Sequence, residues 1–257
     1  MKKELYLFFT ALQFFTRIPI PKWVPFEEEY LQKSRKYFPF IGLIVGLISA
    51  CAYQGLRYFL SSEISIIFSI ISSIWITGAF HEDGLADTFD AFGGGYTKEK
   101  ILTIMKDSRI GTYGTIALII ILGLKFELLI NLQHISDDFL IISIISAHTL
   151  SRFMTSLLVD FLPYVQDIDT SKSKPIAITK FKLSPILFGG LIALIPFLFF
   201  QHIILFSIIP VVLIFTSYLG IYFKNKIGGY TGDCLGATQQ LTEVLIYLLL
   251  IISWKFI

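Results

Sequence analysis

Seven stretches of this chain, residues 37–60, 64–80, 113–132, 139–161, 183–200, 203–223 and 241–257, run as nearly uninterrupted hydrocarbon. Each approaches the roughly 20 residues a helix needs to cross the core of a bilayer. Backbone N–H and C=O groups find no water there, so such segments must satisfy their hydrogen bonds internally. Runs of this length do so as helices. The chain is therefore predicted to be all-α, a polytopic membrane helix bundle of about seven transmembrane helices. Composition agrees: 54% of the 257 residues are hydrophobic and 16% charged, with a mean hydropathy of +0.72, which excludes an ordinary soluble domain. Residues 1–257 are read as a single integral membrane domain.

An eighth apolar stretch, residues 5–20, is shorter, contains Gln13 and Arg17, and ends in Pro19 and Pro21. It is predicted to be a re-entrant or interfacial helix rather than a span. The opening Met-Lys-Lys resembles the start of a signal peptide, but no small-residue cleavage site follows, so the segment is expected to be retained.

Lysine and arginine mark the cytoplasmic side of a membrane protein. The connections 22–36, 82–112, 162–182 and 224–240 hold Lys22, Lys33, Arg35, Lys36, Lys98, Lys100, Lys106, Arg109, Lys172, Lys174, Lys180, Lys182, Lys224 and Lys226, whereas 61–63, 133–138 and 201–202 hold none. A multi-pass protein of the cell (inner) membrane is predicted, surrounded by lipid, with its polar loops in the cytoplasm. The two cysteines, Cys51 and Cys234, are too far apart in sequence to suggest a disulfide framework and read as small apolar fillers. A net charge of +2 gives no argument for nucleic acid.

Against this apolar background, the loop HEDGLADTFDAFGGGYTKEKILTIMKDSRIG carries six carboxylates. Asp83, Asp87 and Asp90 stand at i, i+4 and i+7, so on a helix they share one face. Three carboxylates so placed repel one another, and a hard divalent cation such as Mg²⁺ relieves that repulsion. The alternative is a solvated acidic face. His81, at the junction with the preceding span, fits either a general base or an interfacial hydrogen-bonding residue.

Gly93, Gly94 and Gly95 precede a short amphipathic helix with Thr97 as its expected N-cap, an arrangement that suits phosphate oxygens but also a simple flexible turn. Asp107 and Arg109 follow, and Arg109 is free to meet a phosphate or to neutralise Asp107. A second constellation, GGYTGDCLGATQQLTE, offers Thr231, Gly232 and Asp233. The two segments, at about 81–112 and 224–240, are read as cytoplasmic catalytic loops that build one site. Within the spans, Lys125 and Glu127 are expected to pair, and Arg152, with His148 and Asp160 on the same helix, is expected to face the bundle interior.

LQFFTRIPIP, YFPFIGLIVG, GAFHEDGLADTFDAFGGG, IMKDSRIGTYG and GGYTGDCLGATQQLTE, in this order, resemble the cobalamin synthase family, the adenosylcobinamide-GDP ribazoletransferases. The resemblance implies a Mg²⁺-dependent membrane transferase. Its substrates would be adenosylcobinamide-GDP and α-ribazole or α-ribazole 5′-phosphate, and its products adenosylcobalamin or the 5′-phosphate and GMP, late in cobalamin biosynthesis. It also implies that Asp83, Asp87 and Asp90 are the family's acidic motif; Glu82 departs from the pattern, standing where an apolar residue is expected. The sequence leaves open a homo-oligomer or association with other enzymes of the pathway. Two competing readings are a CDP-alcohol phosphotransferase, whose longer motif is not reproduced because Asp87 rather than arginine follows Ala86, and a cation transporter, which would place its acids at the bilayer midplane.

Overall fold

The computed structural model describes residues 2–165 and 183–257. Among the described residues eleven α-helices follow one another: α1 (Lys2–Phe15), α2 (Glu28–Ser34), α3 (Phe38–Leu56), α4 (Ser62–Thr77), α5 (Phe80–Gly94), α6 (Lys98–Met105), α7 (Thr112–Ile135), α8 (Asp137–Phe161), α9 (Leu183–Leu194), α10 (Ile208–Ile227) and α11 (Gly232–Trp254). Among the described residues there is no strand, only an isolated bridge between Tyr164 and Tyr230. The all-α membrane bundle expected from the apolar runs is the observed architecture. Lys172, Lys174, Lys180 and Lys182 lie outside the described residues.

Among the described residues five helices are long and apolar enough to cross a bilayer: Glu28–Leu56, Thr112–Ile135, Asp137–Phe161, Ile203–Ile227 and Gly232–Trp254. The other two expected spans are shorter. Residues 64–80 form α4, which stops after 16 residues, and α5 then leaves at 87° to it. Residues 183–200 form the 12-residue α9 and a 3₁₀ turn at Pro196–Phe199, because proline cannot continue the helical hydrogen-bond pattern. The N-terminal segment behaves as its length requires. α1 has 14 residues and rests on the start of α3, with Phe15 stacked on Phe38 at 4.1 Å.

Burial sets the layers. In the apolar windows of α8 and α11, 67% and 61% of residues are buried, against 33% for α7 and for the span containing α10, so α8 and α11 form the bundle centre and the others its wall. Wall residues such as Ile119, Ile120, Ile214 and Ile221 are exposed, as lipid-facing side chains should be. α3 approaches α8 closely because Gly46 has no side chain: a Cβ there would lie 2.9 Å from the Ile145 Cα. Small residues permit such contacts in lipid, where hydrophobicity alone does not hold helices together.

The turn between α4 and α5 uses two successive left-handed residues, Gly78 (φ 68°) and Ala79 (φ 58°). The Arg17 side chain occupies the space a Cβ on Gly78 would need, and the Arg17 N–H donates to the Ile76 carbonyl at 2.7 Å. The N-terminal arm thus buttresses the bend that sends α5 across the bundle.

Candidate active site

α5 is helical from Phe80 through Gly94, so Asp83, Asp87 and Asp90 share a side as their spacing predicts. The helix crosses the first turn of α11 at two glycines. A Cβ on Gly84 would meet the Asp233 carbonyl oxygen at 3.0 Å and the Gly236 Cα at 3.2 Å, and one on Gly236 would meet the Gly84 Cα at 3.1 Å. This approach brings Asp233 beside the α5 acids and joins the two polar segments into one location.

The acids are electrostatically frustrated. The Asp87 carboxyl is pushed up to about 7, first by burial and then by the charges of Asp233, Asp83 and Asp90. Among the described residues no lysine, arginine or histidine forms an ion pair with Asp83 or Asp87. Asp90 differs. Its carboxylate accepts the Gly111 N–H at 2.6 Å and the Gly114 N–H at 2.8 Å, tying α5 to the N-terminus of α7, where free amides and the helix dipole favour negative charge. Among the described residues no three His, Cys, Asp or Glu side chains are already gathered as a metal site.

Several expected phosphate contacts have other partners. Arg109 forms an exposed fork with Asp107, Nη2 to Oδ2 at 2.6 Å and Nε to Oδ1 at 3.0 Å, which lowers the Asp107 carboxyl to about 2. Of the two roles open to Arg109, this is neutralisation of its neighbour. Gly93 and Gly94 belong to the last turn of α5 rather than to a loop. Gly93 lies against Tyr113 and Gly95 against Ile101, where a Cβ would approach within 2.6 and 2.7 Å, so both glycines permit packing. Thr97 caps α6, accepting the Lys100 N–H at 3.3 Å. Thr231 caps α11, accepting the Cys234 N–H at 3.2 Å and donating to the Met105 sulfur at 3.0 Å. Gly232 begins α11 and lines a cavity with His81.

The largest correction concerns residues 224–240. They are not a loop: α10 continues to Ile227 and α11 begins at Gly232, leaving a four-residue connection pinned to 163–165 through Tyr230 N–H to Pro163 O and Val165 N–H to Tyr230 O, both 3.0 Å. Gln239, Gln240 and Glu243 are consequently buried in the bundle. Glu243 is met by Lys125 at 3.0 Å, Gln239 at 2.6 Å and His148 Nδ1 at 3.4 Å. Gln240 accepts from Lys125 at 2.9 Å and donates to Glu82 Oε1 at 2.9 Å.

The expected Lys125–Glu127 pair does not form, because residues two apart on a helix point away from each other; Glu127 instead accepts from Asn131. Arg152 is buried as expected, with Nη1 3.1 Å from His148 Nδ1. Glu82, the departure from the motif, is the network's link to α5. The sequence reading places Gln239 and Gln240 in the loop before the last span and Glu243 inside that span without a partner; the signal for their burial is that TQQLTE continues the helical register of the apolar run behind it.

His81 is 2% exposed and its Nε2 has no hydrogen-bond partner. Burial and then the Arg152 charge hold its imidazole well below its usual value, so the ring is neutral and has a lone pair to offer.

The chain matches the Cobalamin-5-phosphate synthase family over residues 7–251. It is 43% identical over 264 residues to a protein of Shewanella halifaxensis (strain HAW-EB4) named Adenosylcobinamide-GDP ribazoletransferase, covering 98% of both chains. A protein of the same name from Shewanella woodyi (strain ATCC 51908 / MS32) is 45% identical over 251 residues, covering 98% of this chain and 97% of its own. No solved structure matches.

Proposed function

Because this chain belongs to the cobalamin-5-phosphate synthase family, we propose that it is an integral inner-membrane transferase that joins adenosylcobinamide-GDP to α-ribazole or its 5′-phosphate and releases GMP. The observation that carries the chemical reading is the set of acids at the α5–α11 crossing, where Asp87 is held up at about 7 by burial and by the neighbouring Asp233, Asp83 and Asp90. A site that concentrates hard oxygen donors and gives Asp83 and Asp87 no ion-pair partner among the described residues has the donor chemistry of a divalent-cation centre.

Asp83 and Asp87, with Asp233 across the helix crossing, would hold Mg²⁺. When bound, the ion would supply charge neutralisation for a diphosphate and its departing phosphate. Asp90 acts one step removed, anchoring α5 to the α7 amides so that Asp83 and Asp87 keep their orientation. In the transfer, a ribazole hydroxyl attacks the phosphorus nearer cobinamide. A new P–O bond forms, the bond to the bridging oxygen breaks, and GMP leaves with that oxygen. His81 Nε2 takes the hydroxyl proton. The support for this role is that His81 Nε2 has no hydrogen-bond partner within the fold and stands two residues from Asp83. The end of the bundle where α5 crosses α11 would face the cytoplasm, the side to which the basic connections assign it.

The test is direct. Membranes containing the protein, supplied with both substrates and Mg²⁺, should release GMP and the cobalamin product in equal amounts, and chelation should stop both. GMP release that is indifferent to chelation removes the metal, and its absence under every condition removes the reaction.

A further inference from the structure

α5 has two sides. Asp83, Asp87 and Asp90 share one, and Glu82, Leu85 and Phe89, at i, i+3 and i+7, share the other. Along the first half of the helix that second side is met by the bundle: Glu82 accepts from Gln240 at 2.9 Å and Leu85 is 0% exposed. Along the second half it is not. Phe89 and Phe92 border an open cavity of about 290 Å³, closed on its other sides by Tyr113 of α7, Tyr222 of α10 and Leu241 of α11. The acid-bearing end of α5 therefore lies over space that the protein leaves unfilled.

The cavity belongs to the lipid-facing wall. α7 and α10 both pack on α11, and each turns exposed isoleucines outward, Ile116 and Ile119 on one and Ile214 and Ile221 on the other. Tyr113 stands in the first turn of α7 and Tyr222 in the last two turns of α10, the level at which tyrosine sits at a membrane surface. One turn beyond Tyr222, Lys226 holds its ammonium 5.9 Å from the centre of the Tyr222 ring, and no carboxylate among the described residues pairs with it. An apolar space of this kind is a poor place for water. With a cation at its rim it suits a molecule that has a hydrocarbon chain and an anionic head.

We propose that this cavity seats an acyl chain of an anionic phospholipid from the adjoining leaflet, with the lipid phosphate at Lys226. The chain gives Phe89 and Phe92 the apolar contact that the bundle gives Leu85, since side chains bordering an unfilled space forfeit their dispersion contacts. It thereby supports from behind the half of α5 that carries Asp87 and Asp90. The inference stands apart from the transfer reading, because it concerns the side of α5 turned away from the acids. The same geometry argues against a substrate here: a nucleoside held against Phe89 and Phe92 would have the whole helix between its sugar and the carboxylates.

The experiment is native mass spectrometry of the full-length protein released from detergent that carries equal amounts of phosphatidylglycerol and phosphatidylcholine, a readout that needs no turnover. The wild-type chain should retain one phosphatidylglycerol in preference to phosphatidylcholine. Leu241→Trp places an indole in the cavity and should abolish that retention. Lys226→Gln leaves the cavity open and should reduce the preference for phosphatidylglycerol about 5-fold, the worth of one lysine against an anionic lipid. Lys226 is exposed, so this variant should melt with the wild type and decides the matter even where Leu241→Trp folds poorly. Equal retention of the two lipids by the wild type, or an unchanged preference in Lys226→Gln, overturns the proposal. So does displacement of the lipid by α-ribazole, which would make the cavity a substrate seat, or a two-chain mass in place of the lipid adduct, which would make it a contact between copies.

Discussion

Two sets of acids lie within this molecule, and their surroundings are opposite. Glu243, at the bundle centre, is enclosed by Lys125, His148 and Gln239. Asp83 and Asp87, on the face of α5, have no cation among the described residues and have one another's charge instead. A buried charge needs compensation, and Glu243 has it; Asp87 is half-buried and Asp83 exposed, so these two carboxylates stay open to something that is not part of the chain. The difference separates architecture from site more sharply than acidity does, since both sets are carboxylates on helices that touch.

That comparison breaks first under charge removal. Asp87→Asn should cut turnover by at least about 10²–10³-fold, the scale of losing a group that stabilises developing charge, while the protein inserts normally and melts no lower than wild type, because a repulsive charge has been removed. Glu243→Gln should do the reverse. It leaves Lys125 buried without its counter-ion, which costs about 3–5 kcal/mol and should appear as lower yield and a lower melting temperature. The pair of melting curves and initial rates checks both, and a stable Glu243→Gln or an active Asp87→Asn would erase the distinction.

A titration sharpens it. The Asp87 carboxyl is raised to about 7 in the folded protein from a usual value of 3.8. Between those values the folded state holds a proton that the unfolded chain has lost, so this group's contribution to stability falls as pH rises through the window. Metal-free protein should therefore melt at a lower temperature at about pH 8 than at about pH 5, Asp87→Asn should flatten the slope, and added Mg²⁺ should restore stability mainly at the alkaline end, where the carboxylate is charged. Differential scanning fluorimetry in detergent reads all three. An equal slope in the variant would assign the pH dependence elsewhere.

The sequence made the bundle legible through the length of its apolar runs, and the α5 acids through their i, i+4, i+7 spacing, because both are properties of a single helix. What it hid depends on contacts between helices. Gln239 and Gln240 look like loop residues, and Glu243 an unpartnered acid in the last span, until Lys125 and His148 are seen against them. Thr231 and Asp90 stand out in the sequence as candidate ligands, and only the packed helices show that each also accepts hydrogen bonds from helix-terminal amides. The sharp bend after α4 was hidden for another reason: it requires a left-handed alanine, which residue type argues against.

That alanine supplies the smallest expected effect. Outside the left-handed region an L-residue avoids a strain of about 1–2 kcal/mol, yet Ala79 holds φ 58° with Arg17 filling the space beside Gly78. If the position of α5 is imposed by its packing on α11 at Gly84 and Gly236, the turn follows that packing and does not create it. Ala79→Gly should then relieve the strain and lose only part of the gain to the greater freedom of the unfolded chain, about 0.4–1 kcal/mol. The net change is a slightly higher melting temperature at wild-type turnover. If instead the turn sets the angle, the freer glycine should let α5 swing away from Asp233, so turnover would fall and the folded-state pKa of Asp87 would drift down toward its ordinary range as its acidic neighbours separate. Rates and the pH dependence of melting, measured together on this one variant, distinguish a site held by the bundle core from a site held by its hinge.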